Sequence, residues 1–252
     1  MSRMSRRTLL KGGVAAAAGV SGLSVAARLA ARYGLVPPDG SGLYGPGQTL
    51  TYAAQRLLVG DSPAREFPRH LISPAPFANE TLPPGEMFTQ LQAGGFADWR
   101  LDVGGMVQRP LSLSLPDLRR LPQRSHITQL ACEEGWSYIA EWTGTALADV
   151  LAAAGMRPGA RYVAYYSTDP ESWETIDIAE ALHPQTLVAW GMNGADLPVG
   201  FGGPLRLRVP RQLGYKSVKY VVRVDVVDDV SNIGKGLGGA NPEYGYAWYA
   251  GI

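Results

Sequence analysis

Pro204-Leu205-Arg206-Leu207-Arg208-Val209-Pro210 leads into Gly214-Tyr215-Lys216-Ser217-Val218-Lys219, and the chain then runs on to Val227 without a turn signal. Residues 205–209 read as a short strand closed by proline. Residues 218–227 carry the most regular pattern in the sequence. Val218, Tyr220, Val222, Val224 and Val226 share one face, with Lys219, Arg223 and Asp225 on the other, the period of a half-buried strand. Between the two strands, Arg206, Lys216 and Lys219 fall within a short span of a serine hydroxyl and free main-chain N–H groups. Such a cluster suits a phosphate or pyrophosphate, whose oxygens take several donors and positive charge.

Working upstream, Asn193-Gly194 between 187–192 and 195–198 is a strong two-residue hairpin signal. Asp177 reads as the cap of a short helix ending before His183-Pro184, and 161–166 as a strand. Residues 146–154 read as a helix stopped by Gly155, and 126–131 as a short strand ending at Cys132. Ser114-Leu115-Pro116-Asp117 resembles a capping box after strands at 99–107 and 111–113. From 49 to about 98 the pattern is irregular, apart from a short helix around 86–91. Strands and short helices interleave without a long βαβ rhythm, which predicts a mixed α+β fold. Glycine and proline number 31 and 19 of 252 residues, about a fifth of the chain against roughly 12% on average, so the fold should be loop-rich. With 46% hydrophobic and 18% charged residues, the composition excludes a disordered or fibrous chain. Lys+Arg at 23 against Asp+Glu at 22 gives no global basis for nucleic-acid binding.

The N-terminus reads as an address. Ser5-Arg6-Arg7-Thr8-Leu9-Leu10-Lys11 precedes an almost uncharged stretch, 12–27, rich in Ala, Gly and Val. A basic start with a moderately apolar run of this length indicates an export signal rather than a spanning helix. The paired arginines resemble the twin-arginine signal, whose transport system carries folded proteins. The expected organisation is a signal at 1–31, a linker and N-terminal extension at 32–74, and one domain at 75–252, located in the periplasm or otherwise outside the cytoplasm, with the signal cleaved or kept as an anchor.

Export sharpens the meaning of Cys132, the one cysteine. Outside the cytoplasm it is buried and inert, paired between chains, or used. It stands in Ala131-Cys132-Glu133-Glu134-Gly135-Trp136-Ser137, where a strand end fixes the backbone and a loop leaves the sulfur accessible.

Five motifs follow in one order: C-E-E-G-W-S from 132, W-T-G-x-x-L from 142, Y-V-A-Y-Y-S from 162, G-G-P-L-R-L-R-V-P from 202 and G-Y-K-S-V-K-Y-V from 214. The set resembles the oxidoreductase molybdopterin-binding domain of the sulfite oxidase family over roughly 75–230, and in particular its short, exported, twin-arginine-dependent members. The resemblance implies the mixed-sheet fold of that family and one molybdenum held by the dithiolene of a molybdopterin, with Cys132 as the protein's sulfur ligand. It further implies a pterin contact at Ser167, a phosphate contact at Arg206, a phosphate-binding turn at Ser217, Val218 and Lys219, and an upstream contact at Asn79. Phe201 departs from the pattern: relatives commonly carry His or Asn there, so one expected hydrogen bond to the cofactor is missing.

The implied activity is two-electron oxygen-atom transfer on a small sulfur-containing or similar substrate. Electrons would pass through a separate protein, such as a membrane b-type haem subunit, and the catalytic subunit would be monomeric. Glu133 and Glu134 beside Cys132 would repel a small dianion and so favour a neutral, sulfoxide-like substrate over sulfite. The alternatives are oxidation of the sulfite-dehydrogenase type and a non-catalytic protein that keeps the fold.

Overall fold

The computed structural model describes residues 34–79 and 85–252; the signal expected over 1–31 lies outside them. The chain divides into two units, Met1–Gly60 and Asp61–Ile252. In the first, a 3₁₀ turn at Pro38–Ser41 precedes helix α1, Gly45–Leu58, a helix that the sequence pattern did not announce. Pro46 sits in its first turn, where the absent N–H leaves no bond unmade. No helix among the described residues is long and apolar enough to cross a membrane.

The second unit is the mixed α+β domain. Helix α2, Glu86–Ala93, leads into β1, Arg100–Gly105, and β2, Leu111–Ser114, followed by α3, Leu115–Arg120. Ser114 caps α3 as expected: its hydroxyl accepts from Asp117 N–H at 3.2 Å, and Asp117 Oδ2 accepts from Ser114 N–H at 3.1 Å. Strands β3, Gln123–Ala131, and β4, Ser137–Ala146, form a hairpin, and α4, Leu147–Ala154, ends at left-handed Gly155. Then come β5, Tyr162–Ser167, β6, Trp173–Asp177, and α5, Ile178–Ala181, whose cap Asp177 accepts from Glu180 N–H at 2.8 Å. Strands β7, Leu187–Met192, and β8, Ala195–Asp196, join through Asn193 and Gly194, both at positive φ (54° and 82°), as the two-residue hairpin signal predicts. The chain continues through β9, Arg206–Arg208, β10, Val221–Val227, and α6, Ala240–Glu243.

Two five-stranded sheets result. One has the order β2-β1-β10-β5-β6, with β1 and β10 parallel and the other pairs antiparallel. The other runs β3-β4-β7-β8, with β9 also paired to β7. The larger core gathers Trp99, Leu101, Val103, Leu147, Leu151, Val163, Tyr165, Val224 and Val226. A smaller one holds Leu130, Tyr138, Trp142, Leu187, Ala189 and Met192.

Two departures from expectation bear on the site. The regular run at 218–227 does not form one strand: Tyr220 takes φ 57°, and β10 starts only at Val221. A register shift between Val221 and Arg223 then buries Val221, leaving Val222 half-buried; Val224 and Val226 keep the expected face. The segment 218–220 is thereby released from the sheet. The second departure is β4, the longest strand, which lies where the sequence suggested a loop. Its Gly144 stands at a register shift against β7, where an added Cβ would come within 2.3 Å of the Val188 carbonyl oxygen. The glycine of W-T-G is thus a close-approach residue between two strands.

Candidate functional site

The β3–β4 hairpin closes through Cys132-Glu133-Glu134-Gly135-Trp136. Cys132 N–H donates to the Trp136 carbonyl at 2.9 Å, and Gly135 N–H to the Cys132 carbonyl at 3.1 Å. The thiol is 8% exposed. Its Sγ donates to Glu133 Oε2 at 3.3 Å and lies 3.8 Å from Glu134 Oε2, which also accepts from Trp136 Nε1 at 2.7 Å. Burial, chiefly, and the two carboxylates push the thiol up to about 12, so it is protonated at neutral pH until a cation replaces the proton. An aromatic wall adjoins it. Trp136 stacks on Tyr138 at 6.0 Å between ring centres, and Phe77 and Phe201 meet those two rings edge-on at 5.1 and 5.7 Å.

The seven residues to which the resemblance assigned a metal or cofactor contact line one cavity of about 190 Å³: Asn79, Cys132, Ser167, Arg206, Ser217, Val218 and Lys219. They come from the loop before α2 (Asn79), the hairpin loop, the end of β5, strand β9, the turn at 214–217 and the segment 218–220 before β10. Arg206 is 5% exposed. Its Nε donates to the Ser217 carbonyl at 2.8 Å and one terminal nitrogen to the Phe201 carbonyl at 3.0 Å. Burial lowers its pKa, and no carboxylate lies within ion-pair distance among the described residues. Lys219 Nζ donates to the main-chain carbonyls of Asn79 at 2.5 Å and Gly200 at 3.0 Å, so Asn79 contributes its carbonyl to the wall.

Lys216 corrects the first reading of the basic cluster. Its side chain is fully buried and turned away from the anion-binding segment, with Nζ 2.6 Å from Glu174 Oε2 and 3.1 Å from the Thr175 carbonyl. A buried ammonium requires a partner at that distance, and Glu174 on β6 supplies it. Asn241 completes the arrangement, donating to Glu174 Oε1 through its main-chain N–H and its side-chain amide at 3.0 and 2.9 Å. The turn 214–217 is also held from its far side. Tyr215 donates to the Ala247 carbonyl, and Leu213 N–H to that of Ala250.

Residues 89–233 match the family described as the oxidoreductase molybdopterin binding domain, which covers more than half of the chain and every site residue except Asn79. The chain belongs to that family. Among solved structures, this molybdopterin-binding domain is similar to the sulfane dehydrogenase SoxCD from Paracoccus pantotrophus, with a TM-score of 0.51 and 25% identity over 53% of this chain and 39% of that one. Among curated proteins, it is 39% identical over 145 residues to the protein-methionine-sulfoxide reductase catalytic subunit MsrP of Xanthomonas axonopodis pv. citri, covering 52% of this chain and 45% of that protein. It is 31% identical over 144 residues to the MsrP of Campylobacter jejuni, covering 51% and 48%. The chain spans about half the length of the curated relatives it matches.

The molybdopterin-binding domain is an enzyme of the sulfite oxidase family, with molybdopterin as its cofactor. The residues of the cavity fit that group. A soft sulfur donor stands at one side. A buried guanidinium without a carboxylate, an ammonium, the Ser167 hydroxyl and a Val218 N–H with no hydrogen-bond partner among the described residues supply the donors an anion needs. Sequence reasoning missed Glu174, Asn241 and Arg208. The first two lie outside the motifs that carried the resemblance, and Arg208 gave no sign of its burial.

Proposed function

We propose that this protein is an exported molybdenum-cofactor oxidoreductase that reduces a neutral sulfoxide, methionine sulfoxide being the substrate class. The two carboxylates beside the Cys132 thiol carry the reading, since they disfavour a small dianion such as sulfite at that place. The aromatic wall favours the alternative, because thioether and sulfoxide sulfur pack well against ring edges. The names of the MsrP relatives agree with it.

In this reading Cys132 is the protein's sulfur ligand to molybdenum, while Arg206, Ser217, Val218 and Lys219 hold the pterin phosphate. Ser167 and Asn79 flank the pterin. When bound, the cofactor supplies two-electron oxygen-atom chemistry. The chain's own part is to fix the sulfur at a hairpin end, exclude bulk water around it, and seat the substrate's apolar flank on Trp136 and Tyr138. A separate redox protein delivers the electrons. A membrane b-type haem subunit suits a relative named as a catalytic subunit. With reduced viologen as donor, the purified protein is expected to oxidise the dye on addition of methionine sulfoxide. Sulfite with an oxidised acceptor should give no comparable rate; turnover of sulfite alone would overturn the assignment in favour of a dehydrogenase.

Export by the twin-arginine route belongs to the same proposal, because a pterin assembled in the cytoplasm has to leave inside a folded domain. Replacing Arg6 and Arg7 with lysine keeps the charge but removes the guanidinium geometry a receptor would read. Folded, molybdenum-loaded protein is then expected to accumulate in the cytoplasm. Normal amounts of the double-lysine form in the periplasm would reject this route.

A further inference from the structure

Arg208 is 1% exposed, and its side chain is not part of the cavity wall. It sits two residues beyond Arg206 on β9. Both guanidinium groups lie over the Trp142 ring, at 5.4 and 5.5 Å from its centre. No carboxylate pairs with either among the described residues. Arg208 donates to the Gln129 carbonyl at 2.5 Å, to Thr128 Oγ1 at 3.4 Å and to Ser217 Oγ at 3.3 Å, while its Nε has no partner. Burial, then the neighbouring Arg206, lower its pKa to about 9. A second buried cation beside the first is costly for the empty fold, and its position calls for a reason.

Ser217 gives the reason. A serine hydroxyl offers one proton and two acceptor sites. Here both acceptor sites are filled, by Arg208 and by Val209 N–H at 3.0 Å. The remaining hydroxyl proton has no acceptor among the described residues, and Ser217 lines the cavity. We propose that Arg208 is a positioning residue for the cofactor's anionic end: it fixes the Ser217 hydroxyl as a donor toward the cavity and adds a buried positive charge behind it. This rests on molybdopterin binding by the family and is independent of the substrate.

The test compares Arg208→Met, Ser217→Ala and the double variant with the natural protein. Cofactor release is followed by molybdenum and pterin content over time, and the melting temperature is taken for each apoprotein. Arg208→Met is expected to hasten cofactor loss about 10- to 100-fold, the range for outer partners of a bound group. Its apoprotein should melt at or above the natural temperature, since an apolar side chain of similar volume removes an unpaired buried charge. In the Ser217→Ala background the added effect of Arg208→Met should shrink, because the two act through one hydroxyl. Unchanged cofactor retention in Arg208→Met would overturn the proposal. So would an apoprotein that unfolds or melts well below the natural one, which would make Arg208 a support of the fold. Fully additive effects would reject the route through Ser217.

Discussion

Cys132→Ala is expected to give a folded protein that keeps much of its molybdopterin and loses nearly all turnover. The cavity separates two tasks. Arg206, Ser217, Val218 and Lys219 sit on β9, the end of the turn 214–217 and the segment 218–220, whereas the sulfur sits at the tip of the β3–β4 hairpin. Removing the thiol leaves the anion-binding side intact. The hairpin is closed by main-chain bonds between Cys132, Gly135 and Trp136, which alanine at 132 preserves. The loss should exceed the roughly 10- to 100-fold typical of changes around a metal ligand, since here the ligand itself is removed. Pterin and molybdenum assayed separately, with turnover per molybdenum, decide the matter. Full activity in the variant would reject Cys132 as the ligand.

Arg206→Ala is expected to act in the opposite way, emptying the site while sparing the turnover of each molybdenum that remains. Arg206 braces the phosphate turn through the Ser217 carbonyl and the Phe201 carbonyl, and brings a buried charge with no carboxylate to cancel it. Each charge-assisted hydrogen bond lost to a buried anion is worth roughly 1.5–3 kcal/mol. That is about a 10- to 150-fold loss of cofactor affinity per bond. The measurement is the molybdenum-to-protein ratio set against specific activity. Normal metal content with depressed activity would move Arg206 from the cofactor to the substrate or the electron partner.

The parts of the fold that were legible in the sequence are those set by neighbours along the chain. Ser114 with Asp117, Asp177 with Glu180 N–H, Gly155 after α4 and Asn193-Gly194 between β7 and β8 each settle their geometry within four residues. What escaped depends on distant partners. Strand β4 alternates in burial from Ser137 to Gly144, but apolar Ile139 stands on the less buried face, small Ala140 on the buried one, and Gly144 at the register shift against β7 reads as a breaker. Strand β6 carries Glu174, buried only because Lys216 meets it from 42 positions away. The Val218-to-Val227 alternation continues across Tyr220, where the chain in fact turns, because side-chain pattern records burial and not φ. Helix α1 opens with Gly45-Pro46-Gly47, which looks like linker until the helix behind it is counted.

The cavity shows the same division. Ordered motifs brought six lining residues into view and the resemblance added Asn79 upstream of them, but Lys216 was drawn into the anion cluster by its charge alone. Arg208, one strand position from a buried leucine, looks like any solvated strand charge. Only the packing of Trp142 and Ser217 around it reveals where it lies.

The bracing of the phosphate turn also fixes an order of events in the life of the protein. Tyr215 is held by Ala247, 32 residues further on, Leu213 by Ala250, and Gln212 bridges to Gly251. The bonds that hold the turn from its far side are therefore made only when the residues around 250 are present. On the reading proposed above, the seat for the pterin phosphate is therefore braced across the sequence and not only by the turn's own neighbours. On the same reading, loading would act on a domain in which residues 212–217 and 247–251 have already come together.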